Sequence, residues 1–168
     1  MKQQIQDIIN RQIQMEAASS QTYLAMAVWA DVNGYVGTSE FLYNQAQEER
    51  MHMMKLIRFI NERGGEAVIP GLEAPKNDYK NLLEIFSTLL EHELNVTESI
   101  NEIVYICLQE KDYTTHNFMQ WYVSEQLEEE ALARTILDKL KLIGDDKGGL
   151  YLFDNDIKTI QANTQAQI

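Results

Sequence analysis

Four long stretches with an apolar residue every three or four positions most constrain what this chain can fold into. Gly and Pro, the residues that interrupt helices, are confined to short segments between them, at residues 34–37, 64–75 and 144–149. An apolar repeat of about 3.6 residues predicts amphipathic helices. We therefore predict five helices, at about residues 3–33, 38–64, 81–109, 113–142 and 153–163.

The connections between these segments predict how the helices are arranged. Only a few residues separate the first helix from the second and the third from the fourth, so each pair forms an antiparallel hairpin. The connection between the second and third helices contains both prolines and is long enough to run the length of the bundle. We predict a single all-α domain over residues 1–168: an antiparallel four-helix bundle with one long crossover and a short fifth helix at the C-terminus.

The charge balance and the cysteine count exclude several classes of function. The chain has 26 acidic and 14 basic residues, and nucleic-acid binding needs clustered Lys and Arg. Cys107 is the single cysteine, which excludes an internal disulfide. The first residues lack the apolar run of a signal peptide, and no stretch is long enough to span a membrane. We predict a cytoplasmic protein with neither a nucleic-acid nor a membrane partner.

Six polar side chains interrupt the apolar faces of the four long helices. Steps of seven residues, for example, align Glu16 with Ile9 and Tyr23 in the first helix. Each of the six lies roughly 16–24 Å from the start of its helix, near the middle, at a rise of ~1.5 Å per residue. Mid-helix side chains meet at one level of an up-and-down bundle, so we expect all six to converge. They are Glu16, Glu49, His52, Glu93, Gln126 and Glu129.

Four carboxylates buried at one level need compensating positive charge. No Lys or Arg occupies the matching inner positions, whereas two divalent cations would neutralise all four. His52 would add a neutral nitrogen ligand, and oxygen-rich ligation with one imidazole suits iron or manganese, although zinc can also bind. Di-iron bundles carry Glu-x-x-His on two of their four helices. Glu49 and His52 form one such motif here, but the fourth helix has Gln126 and Glu129 without a second histidine.

At these residues the chain resembles the bacterial non-haem ferritins, from about residue 5 to residue 160. The most specific stretch is FMQWYVSEQLEEEAL at 118–132, and QEERMH at 47–52 and GGLYLFDNDI at 148–157 also match. The resemblance implies a shell of 24 chains around a cavity. It implies that each chain oxidises Fe(II) with O2 or H2O2 at a di-iron centre and passes Fe(III) to a stored mineral.

The resemblance also implies roles for individual residues. The first iron site is expected to consist of Glu16, Glu49 and His52. The second is expected to consist of Glu49 as a bridge, Glu93 and Glu129, with Gln126 close by. A third iron site is expected at Glu48, Glu125 and Glu128, with Glu129 shared; a solvated acidic face is the alternative for these three. Tyr23 is expected beside the centre as a hydrogen-bond or electron donor, and core packing is the alternative for Tyr23 and for Trp121.

Departures from related families limit the expected cofactors and functions. Bacterioferritins place a haem-ligating methionine where this chain has Arg50, and they carry the second Glu-x-x-His, so we predict no haem. One alternative function is a di-iron oxidase or peroxidase without storage, which the missing second histidine disfavours. Another is a DNA-protecting mini-ferritin, which the acidic balance and the separate fifth helix disfavour.

Overall fold

The structure, a computed structural model, describes the backbone of residues 1–165 and the side chains of residues 1–160. In that part of the chain all regular structure is helical, as predicted, and no helix is both long enough and apolar enough to cross a bilayer. The helices are α1 (Gln3–Val32), α2 (Val36–Glu62), α3 (Leu82–Gln109), α4 (Tyr113–Ile143) and α5 (Lys147–Gln165).

Contacts at one end of the bundle establish the directions of the four long helices. The amino group of Met1 lies 3.5 Å from the Arg63 carbonyl oxygen, just beyond the end of α2. The Lys2 ammonium donates to the Glu110 carbonyl oxygen, at the end of α3, over 3.0 Å. Arg63 also donates to both carboxylate oxygens of Asp112, the residue that caps the start of α4. The start of α1, the ends of α2 and α3 and the start of α4 therefore meet, which confirms two antiparallel hairpins joined by a long crossover.

The crossover, residues 63–81, is held against the first helix by side-chain hydrogen bonds to its backbone. The Asn10 side chain donates to the Glu66 carbonyl oxygen over 3.1 Å and accepts from the Val68 N–H over 2.9 Å. At its far end, the Asn81 side chain accepts from the Glu84 N–H and caps α3. These contacts satisfy backbone groups that have no partner in a helix or sheet, so the crossover has a defined path.

The bundle core consists of two apolar clusters separated by a polar layer. One cluster contains Ile9 and Ile100 and lies toward the end where the chain begins. The other contains Phe41 and Phe86, whose ring centroids are 5.9 Å apart, and extends to α5. Because the polar layer lies between them, its side chains are shielded from solvent along the bundle in both directions.

The fifth helix begins earlier than the sequence predicts. Gly148 and Gly149 indicate a helix break and a start near residue 153, but α5 begins at Lys147. The Asp146 carboxylate accepts a hydrogen bond of 2.7 Å from the Gly149 N–H and so caps the helix. First-turn N–H groups have no acceptor within the helix, and this cap supplies one. The predicted start at 153 is therefore wrong.

The second helix also begins before its predicted start at residue 38, because α5 caps it from a distance. The Asp154 carboxylate on α5 accepts hydrogen bonds from the Gly37 N–H at 3.0 Å and from the Thr38 N–H at 2.8 Å. Both groups belong to the first turn of α2, which begins at Val36. A side chain at position 37 would place its Cβ 1.7 Å from the Asp154 carbonyl oxygen. Only glycine lets the two helices approach this closely.

Removing this cap is expected to loosen the contact between α5 and α2. An Asp154→Ala variant should lose about 1–2 kcal/mol of local stability, a typical value for a helix cap, because two backbone donors lose their acceptor. Amide hydrogen exchange in α5 and in the first turn of α2 should rise about 5- to 30-fold. Asp156→Ala, an exposed residue on the same helix, is the control. Unchanged exchange in Asp154→Ala would contradict the cap.

Candidate metal centre

The six polar side chains predicted to converge lie in the polar layer at mid-bundle. The four carboxylates come from four different helices, and each is between 1 and 7% exposed. The imidazole on α2 and the amide on α4 are buried with them. Helical periodicity turns each side chain inward, and similar depth along each helix brings them to one level. These residues are Glu16, Glu49, His52, Glu93, Gln126 and Glu129.

Three of these side chains have the spacing of ligands around one metal ion. His52 Nδ1 lies 3.9 Å from a Glu16 carboxylate oxygen and 3.7 Å from a Glu49 oxygen. One donor atom from each of the three lies within 4.8 Å of the others, and no other such group of acid, His or Cys side chains occurs in the described residues. An ion about 2.1 Å from each ligand spans distances of this size. The cluster therefore has a suitable donor set for one divalent cation.

Two buried carboxylate oxygens have no hydrogen-bond partner within the described residues. They are Glu16 Oε2 and Glu129 Oε2. Glu16 Oε1, by contrast, accepts a hydrogen bond of 2.8 Å from the Gln12 side chain. Buried polar atoms are rarely left unsatisfied, because the lost hydration is expensive. Oxygens that lack a donor fit the coordination of a cation.

The electrostatics of the centre favour binding of either protons or cations. Burial raises the pKa of Glu16 well above its ordinary value, and the charge of Glu49 raises it further. Burial also raises the pKa values of Glu49 and Glu129 well above normal, and each is raised further by Glu93. No Lys or Arg makes a salt bridge to these carboxylates within the described residues. Divalent cations that displace the protons would therefore neutralise the site.

Glu93 is oriented by hydrogen bonds to both of its carboxylate oxygens. Tyr23 donates from its hydroxyl to one oxygen, and Gln126 donates to the other over 3.0 Å. The same Gln126 amide lies 3.2 Å from the Glu93 backbone carbonyl oxygen. Gln126 stands where the di-iron motif would have its glutamate, and Glu129 stands where it would have its second histidine. The Gln126 amide is directed at a neighbouring carboxylate, so it is placed to position that carboxylate.

Three further acids lie at the edge of the centre and are half-buried. Glu125 places a carboxylate oxygen 3.9 Å from His52 Nε2, the ring nitrogen that faces away from Glu16. Glu48 accepts a hydrogen bond from Gln45. Burial raises the pKa values of Glu48 and Glu128. The structure places these acids beside the centre, but it does not bring Glu48, Glu125 and Glu128 together with the spacing of a ligand set.

Two residues that support the centre were not predicted from the sequence. Gln12 lies one helical turn before Glu16, and that i, i+4 spacing is a signal that could have identified it. Tyr122 donates a hydrogen bond of 2.8 Å from its hydroxyl to the His52 backbone carbonyl oxygen, and so links α4 to the middle of α2. This bond lies across the bundle and has no sequence spacing that would reveal it.

A four-helix bundle with a buried carboxylate–histidine cluster at mid-height defines a ferritin-like protein. The family model for the ferritin-like domain matches residues 6–143. The chain belongs to the ferritin family. Among curated proteins, a probable bacterial non-haem ferritin-like protein from Haemophilus influenzae is 46% identical over 94% of this chain and 95% of its own length. The bacterial non-haem ferritin of Campylobacter jejuni is 43% identical, over 95% and 96% of the two chains.

Solved structures agree with this assignment. An open pore ferritin from Archaeoglobus fulgidus superimposes with a TM-score of 0.92 at 43% identity, covering 94% of this chain and 96% of the other. A ferritin from Chlorobium tepidum gives a TM-score of 0.84 at 40% identity, covering 94% and 97%. The fold and the near full-length similarity together place the chain among the bacterial non-haem ferritins.

Proposed function

We propose that this chain oxidises Fe(II) at the buried centre and, as part of a shell of identical chains, stores the Fe(III) product. The observation that carries the proposal is a set of four buried carboxylates beside one imidazole. Two of the carboxylate oxygens have no hydrogen-bond donor within the described residues. Such a set is costly in a protein that binds no cation. Membership of the ferritin family indicates iron as the cation.

Two iron ions per chain account for the charge of the centre. We assign the first Fe(II) to Glu16, Glu49 and His52, the three residues with ligand spacing. We assign the second to Glu49, Glu93 and Glu129. We assign Glu49 to both ions because it interacts with both Glu16 and Glu93. Two ions carry four positive charges, which balance the four carboxylates.

The proposed chemistry is the transfer of one electron from each Fe(II) to O2. Two electrons and two protons convert O2 to H2O2 and leave two Fe(III) ions. The buried carboxylates bind Fe(II) as it displaces their protons, and they bind Fe(III) more strongly because its charge is higher. H2O2 can likewise accept one electron from each of two further Fe(II) ions, together with two protons, and become two water molecules. Glu48, Glu125 and Glu128 are proposed to hold a third iron at the edge, where product leaves the centre.

Storage requires an assembled shell, and we propose 24 chains, the number that the resemblance implies. Apolar side chains at intervals of four residues lie exposed along α1, at Leu24, Val28 and Val32, the last of which is 81% exposed. An apolar stripe of this kind indicates a contact with another protein surface. We propose that neighbouring chains cover it. We also propose a cytoplasmic location, where Fe(II) and O2 are both available.

A metal titration without oxidation tests the assignment of the centre. Co(II), which replaces Fe(II) without reacting rapidly with O2, should bind at two tight sites per chain and give a d–d absorption spectrum that saturates at that ratio. His52→Ala should lose one of the two sites, because it removes the nitrogen ligand. Binding of two ions in His52→Ala with unchanged affinity and spectrum would contradict the assignment.

Gln126 is expected to act on the second metal ion only. A Gln126→Leu variant keeps the volume of the side chain but removes the donor to Glu93, so the second Co(II) should bind about 10- to 100-fold more weakly. The first Co(II) should bind as before, because its three ligands are untouched. Gln120→Leu, an exposed change on the same helix, is the control. Equal loss at both sites would show that Gln126 supports the bundle rather than Glu93.

A further inference from the structure

Lys55 covers the ring of a tryptophan that contacts the centre. Its ammonium nitrogen lies 3.1 Å from the centroid of the Trp121 ring. The same ring meets the His52 imidazole edge-on, with centroids 5.3 Å apart, and Tyr122 at 4.8 Å. Trp121 is 38% exposed, so small oxidants in solvent can reach it. Trp121 therefore lies between a proposed iron ligand and a positive charge.

The position of Trp121 exposes it to the by-products of iron oxidation. When Fe(II) gives one electron to H2O2, the products are Fe(III), hydroxide and a hydroxyl radical. A hydroxyl radical that takes one electron from an indole becomes hydroxide and leaves an indole radical cation. Reaction of that cation with water or O2 damages the side chain permanently. A protective role at Trp121 rests on the proposed function only in that iron oxidation supplies the oxidant.

We propose that Lys55 protects Trp121 from one-electron oxidation. An ammonium over the face of a neutral indole is attracted to the negative face of the ring. After the ring loses an electron it is positively charged, and the same ammonium at 3.1 Å repels it. The contact thus stabilises the reduced ring and destabilises the oxidised one. In the described residues Lys55 makes no salt bridge, and the charge of Glu125 interacts with it.

This role differs from simple packing because it depends on charge. Lys55→Gln keeps most of the side chain's length and removes the charge, whereas Lys55→Arg keeps the charge and can stack on the ring. A packing role predicts that both variants disturb Trp121 to a similar extent. Protection by charge predicts that only Lys55→Gln does. Trp29 serves as an internal reference, since it packs against Tyr35 and Tyr79 and has no Lys or Arg over its ring in the described part of the chain.

The first test follows damage during iron oxidation. Each protein is given the same amount of Fe(II) with H2O2, and peptide mass spectrometry measures the oxidised fraction of Trp121 relative to Trp29. Lys55→Gln should show roughly tenfold more Trp121 oxidation than the unchanged protein, as expected for loss of a close charge interaction. Lys55→Arg should match the unchanged protein. Equal Trp121 oxidation in all three proteins would overturn the proposal.

The second test separates this inference from the proposed function. Azide radicals generated in the iron-free protein take one electron from tryptophan and become azide, without any contribution from the centre. At a matched radical dose, the ratio of Trp121 to Trp29 oxidation should again be higher in Lys55→Gln than in Lys55→Arg. If the protein fails to oxidise iron but this ratio is still higher in Lys55→Gln than in Lys55→Arg, only the proposed function is refuted. An equal ratio in both variants would refute the role of Lys55, whatever the iron chemistry.

Discussion

Glu49→Gln is expected to slow Fe(II) oxidation by about a hundredfold or more, the largest effect of any single change, because metal-ion stabilisation is worth several kcal/mol. Glu49 is the one residue assigned to both iron ions. The amide is a weaker ligand and carries no charge, so neither site keeps its donor set and the centre retains only three acids. Stopped-flow absorbance at two Fe(II) per chain measures the rate.

The matched control for this variant is Glu62→Gln, which makes the same chemical change at an exposed position near the end of the same helix. It should oxidise Fe(II) at the unchanged rate. Tyr23→Phe is a second comparison, because it keeps all proposed ligands and removes only the hydrogen bond to Glu93. A Glu49→Gln rate equal to that of Glu62→Gln would mean that oxidation takes place elsewhere on the protein.

The iron-free protein is expected to become less stable as the pH rises from about 5 to 8. The pKa values of Glu16, Glu49 and Glu129 are raised in the folded chain, so above the ordinary carboxyl pKa of 4.5 the folded state holds more protons than the unfolded state. The stability that these protonated acids contribute is therefore fully present below that pH and is lost as the pH rises toward their raised folded pKa values. Each retained proton contributes a slope of about 1.4 kcal/mol per pH unit.

Comparison with a variant separates the centre's effect on the pH dependence of stability from the effect of the chain's other charges. Glu49→Gln removes one of the acids with a raised pKa, so its thermal midpoint should fall less between pH 5 and 8 than that of the unchanged protein. Glu98→Gln, an exposed substitution on α3, should keep the full slope. Adding Co(II) should raise the midpoint most at high pH, since the cation then competes with fewer protons. Protein concentration must be held constant because the proposed assembly would make the midpoint depend on it. Parallel slopes for all three proteins would contradict buried, proton-holding carboxylates.

The helices and their order could be predicted because their signals are local. The apolar repeat, the cap at Asn81 and the glycine stops lie within a few residues of the ends that they define. The directions of the helices followed from the lengths of the connections. The starts of α2 and α5 were missed for different reasons. The cap on α2 comes from Asp154, more than a hundred positions away in the chain, and the cap at Asp146 overrides a glycine pair that looks like a break.

The sequence could predict which residues converge at the centre, but it could not predict how they interact. Inward direction and depth follow from residue number, and the carboxylates and His52 are indeed buried at mid-bundle. Hydrogen bonds between helices depend on side-chain conformation and on packing. The sequence therefore could not show that Gln126 donates to Glu93, or that Glu125 faces the outer nitrogen of His52. The contact of Lys55 with Trp121 is of the same kind.

Aerobic loading with Fe(II) in large excess over protein chains tests the central claim most directly. Size-exclusion chromatography then separates protein from free mineral, and the iron that co-elutes with protein is counted per chain. We predict that nearly all of the iron elutes as Fe(III) with a large assembly, and that Glu49→Gln leaves most of it to precipitate. If only two or three irons remain per chain and the rest precipitates from the unchanged protein, the centre binds iron but the chain does not store it.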